Sequence, residues 1–161
     1  MKTLIVYGTR HGSAKKVAYR LRTKLPGEVQ VRSVTKERIP PLRDYDTIVL
    51  GGSIYMGKIQ KELRQFAEEK ETELLQKKVA LYICAGEPDP ALLARELKDN
   101  FPENLYAHAV VKEVAGHEIH MDQLNLLEKA ILRMKGVKSS TFQLSADMID
   151  RTAEKLKEPH S

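Results

Sequence analysis

Cysteine is almost missing from this chain. A single Cys84 in 161 residues excludes an internal disulfide and agrees with a reducing compartment. Long apolar runs are missing too: none approaches the roughly 18 residues that a membrane-spanning helix needs. No charged-then-apolar leader precedes the first strand pattern at Leu4, so no signal peptide is expected and a cytoplasmic location is. Internal repeats and low-complexity segments are absent. Two phosphate motifs are also excluded. A P-loop needs four residues between its glycines and then Gly-Lys-Ser/Thr, but Gly8 and Gly12 enclose only Thr9, Arg10 and His11, and Ser13 follows. The dinucleotide pattern G-x-G-x-x-G does not occur. A phosphoacceptor domain would need carboxylates where Tyr7 and Gly51 stand. What remains is ordinary for one globular domain spanning 1–161, with 42% hydrophobic and 30% charged residues. Net charge is +5 and the pI about 9.2, which is a solvated basic surface or an attraction to anionic partners or a membrane surface. Nucleic acid is not among the expected partners.

One stretch organises the rest. Leu4-Ile5-Val6-Tyr7 reads as a buried strand, Gly8 to Ser13 as a polar turn, and the segment from about Ser13 as a helix with Val17, Ala18, Leu21 and Leu25 on one stripe. Strand, glycine-and-hydroxyl turn and helix N-terminus together form an anion site, because the first N–H groups of a helix lack internal acceptors and its dipole favours negative charge. Thr9 and Ser13 add hydroxyls. The first helical turn holds no Asp or Glu but does hold Lys15 and Lys16, cations that make sense there beside a phosphate. Gly12 is expected where a Cβ would crowd such a ligand or where φ is positive. The plainer reading of this stretch is an ordinary βα turn.

Further along, Pro26-Gly27 stops the first helix, and Glu28 to Val34 alternates as a half-buried strand. Thr35 to Tyr45 is a connection without a full helix. Asp46 to Gly52 reads as a central strand, Ser53 to Gly57 as a second loop, and Lys58 to Gln76 as a helix with Ile59, Leu63, Phe66 and Ala67 at core spacing. Val79 to Cys84 is another buried strand, followed by a turn at Ala85-Gly86-Glu87-Pro88. A short helix runs from Pro90 to Lys98, a break follows at Asn100 to Asn104, and Leu105 to Ala115 is the last strand. Helices at Asp122 to Lys135 and about Ser145 to Lys157 complete the chain. Short apolar strands alternating with amphipathic helices imply an α/β fold with a parallel sheet covered on both faces. Ligands in such folds bind beyond the carboxyl ends of the strands, which gathers Gly8–Ser13, Gly51–Gly57, Ala85–Glu87 and Gly116–His120 at one edge.

With those loops in place the chain resembles the flavodoxin superfamily over nearly its whole length. It most resembles the single-domain group that includes menaquinone-dependent protoporphyrinogen oxidase. The residues that carry the likeness are Thr9-Arg10-x-Gly12, Tyr45-Asp46-x-Ile48-Val49-x-Gly51-x-Ser53-Ile54 with Gly57 after it, and Val114-Ala115-Gly116 before a helix ending Leu132-x-Met134-Lys135-Gly136. The resemblance implies a three-layer flavodoxin-like fold, a five-stranded parallel sheet of order 2-1-3-4-5, and one non-covalent FMN. Carried over by position, Thr9, Arg10, His11, Gly12, Ser13 and Ala14 would cradle the FMN phosphate. Ser53, Ile54, Tyr55, Met56 and Gly57 would border the isoalloxazine ring, and Ala85, Gly86 and Glu87 its other edge. Ala14 stands where many members carry a Thr hydroxyl, and the basic charge differs from the acidic carrier flavodoxins. The implied function is electron transfer or FMN-dependent oxidoreduction, linked to protoporphyrinogen or a quinone. A binding module that keeps the fold without redox activity is the alternative.

Other residues carry less. His117-Glu118-Ile119-His120 lacks the spacing of a zinc helix and reads as polar loop. Cys84 reads as a small core residue. In the helix after the last strand, Met121, Leu124, Leu127, Ile131 and Met134 share a stripe, while Leu126 and Leu132 lie off it. That helix either packs on the domain or on a second copy of the chain, giving a homodimer, or it borders the flavin and receives a quinone, a porphyrin or the membrane holding them. In the second case Lys129, Arg133, Lys135 and Lys138 would face anionic groups. A redox partner protein is the remaining expected partner.

Overall fold

The computed structural model describes residues 1–86, 89–116 and 142–159, the first four residues of its last helix by backbone alone. The five strands are β1 (Lys2–Gly8), β2 (Glu28–Ser33), β3 (Thr47–Ser53), β4 (Lys78–Ala85) and β5 (Val111–Gly116). They form one parallel sheet of order β2-β1-β3-β4-β5, as the resemblance implied. The helices are α1 (Ser13–Lys24), α2 (Lys61–Glu69), α3 (Glu71–Leu74), α4 (Pro90–Asp99), α5 (Glu103–His108) and α6 (Phe142–Lys157), with a 3₁₀ turn at Leu42–Asp44.

Period-two side chains divide the sheet into two cores. Leu4, Val6, Ile48, Leu50, Leu81 and Ile83 pack with Leu63, Phe66, Leu74, Leu97 and Leu105 on one face. Ile5, Tyr7, Val49, Tyr82 and Cys84 pack with Val17, Leu21, Met148, Ile149 and Leu156 on the other. Both faces are therefore covered, which is why β1, β3 and β4 read as continuous apolar runs. The predicted α1 stripe of Val17, Ala18, Leu21 and Leu25 is buried throughout.

Two expectations need correction. Lys58 to Gln76 is not one helix. Lys58 pairs back to Tyr55 through Tyr55 N–H to Lys58 O (2.9 Å) and Lys58 N–H to Tyr55 O (3.1 Å), so the helix starts only at Lys61. Ile59 is buried as expected, but from the chain leading into α2. The helix then breaks at Lys70 (φ −101°, ψ 9°) before α3. Nor is Leu105 to Ala115 all strand. Pro102 precedes α5, Glu103 complements the dipole in its first turn, and buried Leu105 and Ala109 lie four residues apart, a helical spacing. Pairing starts with Val110 N–H to Val79 O at 2.9 Å. The predicted helix at 122–135 lies outside the described residues.

Candidate functional site

Register brings the carboxyl ends of the strands level. Gly8 pairs with Gly52, Ser53 with Cys84 and Ala85 with Gly116. From β1 the chain crosses to β2, whereas β3 continues to β4 on the other side, so the crevice of this sheet order opens between β1 and β3.

The loop after β1 ends in Gly12, which caps α1 with φ +91° and ψ −3°. This is the left-handed region that glycine enters without strain. A Cβ built there would meet no protein atom within 4 Å, so the demand for glycine comes from the dihedral and not from crowding. The N-cap Gly12 has no side chain to cap α1 and the first turn has no acidic residue, so no carboxylate of that turn offsets the positive end of its dipole. Thr9 shapes the loop: its Oγ1 accepts the Gly12 N–H at 2.9 Å. Ser13 is buried at the helix start, and Lys15 and Lys16 follow it. The Ala14 side chain is wholly buried in the core under α1, so Ala14 offers this edge only its backbone.

The second loop is a tight reversal. The reciprocal Tyr55–Lys58 bonds enclose Met56 at φ +54° and Gly57 at φ +80°, the two consecutive positive values of a type I′ turn. Met56 is the non-glycine residue in this region among the described residues, and it is 82% exposed. Ile54 packs partly into the core.

Two contacts join these loops. Thr9 Oγ1 lies 3.2 Å from Ser53 Oγ. The Arg10 guanidinium lies 3.8 Å from the centroid of the Tyr55 ring, while Arg10 Nε also donates to His11 Nε2 at 3.2 Å. The predicted residues Thr9, Arg10, His11, Gly12, Ser53 and Tyr55 are thus brought together. In the third loop the Ala85 side chain is buried in the core and Gly86 is exposed. Glu87 and 117–120 lie outside the described residues.

Sequence reasoning missed the supports. Gln60 grips the end of β3: its Oε1 accepts the Ser53 N–H at 3.1 Å and its Nε2 donates to the Ser53 carbonyl at 3.0 Å. It lies over Gly8, where a Cβ would come within 2.9 Å of Oε1. Asn100 holds the reversal from beneath, accepting the Ile59 N–H at 2.9 Å and donating to the Gly57 carbonyl at 3.1 Å. The only sequence signals were a polar residue just ahead of a helix and an asparagine just after one.

Elsewhere, Cys84 is fully buried and burial pushes its thiol far above the ordinary range, which makes it an inert core residue. Among the described residues no group of three or more His, Cys, Asp or Glu could hold a metal, and no helix is long and apolar enough to cross a membrane. A cleft of about 600 Å³ lies at the opposite edge of the sheet, beside Lys2, Asp46, Lys77 and Lys78. Two of its lysines are tied to backbone: Lys77 Nζ donates to Tyr45 O at 2.6 Å and Lys78 Nζ to Leu156 O at 2.8 Å.

Comparison with known proteins agrees with the geometry. A family model for the flavodoxin domain matches residues 4–141. Protoporphyrinogen IX dehydrogenase [quinone] of Escherichia coli strain K12 is 30% identical over 111 residues, 66% of this chain and 58% of that protein. The chain thus matches a little over half the length of this relative. Oxidised flavodoxin 1 from Bacillus cereus superposes with a TM-score of 0.61 at 13% identity, covering 99% of this chain and 100% of that one. Fusobacterium nucleatum flavodoxin bound to flavin mononucleotide gives 0.52 at 13% identity, covering 96% and 98%. At such identities these two structures establish the fold.

Proposed function

The chain belongs to the flavodoxin domain family, and from that premise we propose that it is a redox protein that binds FMN at the β1/β3 edge. The observation that carries this reading is the N-terminus of α1, which starts after a left-handed glycine and has no acidic residue in its first turn, on a loop whose Arg10 lies over Tyr55. The N–H groups of the first turn and the Thr9 and Ser13 hydroxyls would hold the phosphate, with Arg10, Lys15 and Lys16 adding positive charge around it and His11 lining the loop as a polar neighbour. Ser53, Ile54, Tyr55, Met56 and Gly57 would border the ring, with Tyr55 as its stacking partner. The backbone of Ala85 and Gly86, and Glu87 beyond the described residues, would meet its other edge. Bound FMN supplies transfer of one or two electrons, chemistry that no side chain at this edge offers.

For the partner we favour a quinone as electron acceptor, with protoporphyrinogen as the donor to test first. The support is the identity to the Escherichia coli enzyme, over 58% of that enzyme's length. Homodimer formation and contact with a membrane surface rest on residues 121–138 and belong to the same proposal.

Binding is the first test. Fluorescence titration should give at least tenfold tighter binding of FMN than of riboflavin, which lacks the phosphate. Thr9→Ala with Ser13→Ala should reduce FMN affinity at least tenfold, since hydrogen bonds to a charged group contribute roughly 1.5–3 kcal/mol each. A colourless protein that ignores added FMN would favour the non-redox binding module. Anaerobic mixing of the loaded protein with quinones and protoporphyrinogen then tests the partners.

A further inference from the structure

Tyr82 lies in the middle of β4 and is 1% exposed. Its hydroxyl donates to the Ala14 carbonyl at 2.7 Å, tying the centre of the sheet to the first turn of α1 across 68 residues of sequence. The ring reaches α1 by crossing Gly51, its register partner on β3. A Cβ on Gly51 would stand 1.9 Å from Tyr82 Cζ, so the ring fills the space that any other side chain at 51 would take. Burial, then the nearby Cys84 and Tyr7, raise the phenol well above its ordinary range, so it stays protonated and remains a donor.

The Ala14 carbonyl and the Lys15 N–H are the two ends of one planar peptide group. Lys15 is the third residue of α1, and an N–H at that position has no acceptor within the helix. Donation to a peptide oxygen polarises the group and strengthens its N–H as a donor, most of all in a buried, low-dielectric setting.

We propose that Tyr82 is a positioning residue of the anion site: through the Ala14–Lys15 peptide it fixes and polarises an N–H that α1 presents to a phosphate monoester. This rests on the FMN reading above. The relay runs from the Tyr82 hydroxyl through one peptide to the ligand, and Gly51 is the residue that makes room for it.

Tyr82→Phe tests the relay in the full chain, because it keeps the ring over Gly51 and removes only the hydroxyl. FMN affinity should fall about threefold to tenfold, as expected for one hydrogen bond. Riboflavin affinity should stay within twofold, and the Lys15 amide proton of the flavin-free protein should move upfield in NMR spectra. Equal losses for FMN and riboflavin would mean a merely structural role and overturn the proposal, as would an unmoved Lys15 amide. Should the variant fail to fold, the wild type still decides. Titration with inorganic phosphate should shift the Lys15 amide and the Tyr82 ring resonances together, and a Tyr82 ring that does not respond overturns the relay. Wild-type protein that binds riboflavin as well as FMN overturns the phosphate reading itself. Wild-type preference for FMN that survives intact in Tyr82→Phe overturns only the relay.

Discussion

The Arg10 guanidinium stands over the Tyr55 ring at 3.8 Å from its centroid, and so links the loop after β1 to the loop after β3. Tyr55 is 45% exposed, so the pair is only partly desolvated. Cation–π contacts at such sites are worth about 0.5–1 kcal/mol. A double-mutant cycle with Arg10→Gln and Tyr55→Leu, read by urea denaturation of the flavin-free protein, should return a coupling of about that size. Strictly additive single losses would mean that the two loops are not linked here.

At the far edge of the sheet, Asp46 should make a small contribution to acid sensitivity. Burial would raise its carboxyl, but the Lys2 N–H at 3.0 Å and the Thr47 hydroxyl at 2.7 Å, helped by the N-terminal ammonium and Lys77, outweigh it and hold the group below its ordinary range. A pKa that is lower folded than unfolded gives stability that is present above the unfolded value and lost as pH falls through the folded one. The wild type should therefore lose slightly more Tm than Asp46→Asn as pH falls below about 4, the ordinary carboxyl range. Because Asp46 is exposed, the difference at neutral pH should be small. Parallel pH profiles for the two proteins would contradict the assignment.

What could be read from the sequence follows from how local each cause is. β1, β3 and β4 are set by continuous apolar runs, and the buried stripe of α1 by a period-3.6 pattern, each within a single segment. The glycine and hydroxyls of the first loop are legible for the same reason: Thr9 Oγ1 bonds a backbone N–H only three residues away. Asn100 is different, since its partners Ile59 and Gly57 lie 41 and 43 residues off and leave no mark on its neighbours. Tyr82 hid inside an apolar run, where nothing tells a core aromatic from one reaching Ala14. The helix α5 reads as strand because Leu105, its buried residue, and Ala109, just past its end, sit in a run of small and apolar residues that also suits a strand.

The last prediction concerns Gln60. Its amide meets the Ser53 backbone as a neighbouring strand would, accepting from the N–H and donating to the carbonyl. Ser53 in turn lies against Thr9, so Gln60 braces the junction of the two loops. Gln60→Glu keeps the shape and the acceptor but replaces the donor with a second acceptor facing the Ser53 carbonyl. The half-buried carboxylate then meets a carbonyl oxygen, a penalty of about 1–3 kcal/mol. Protonation restores a donor, so the folded protein should raise the pKa of the new carboxyl above its unfolded value. A group shifted that way is least harmful below the unfolded pKa and most harmful above the folded one. Denaturation midpoints of Gln60→Glu should therefore approach those of the wild type near pH 4 and fall behind as pH rises to 7. Affinity for FMN should follow the same course, because the Ser53–Thr9 contact depends on the same brace. A constant deficit at every pH would show that the amide donor at residue 60 does not hold the end of β3.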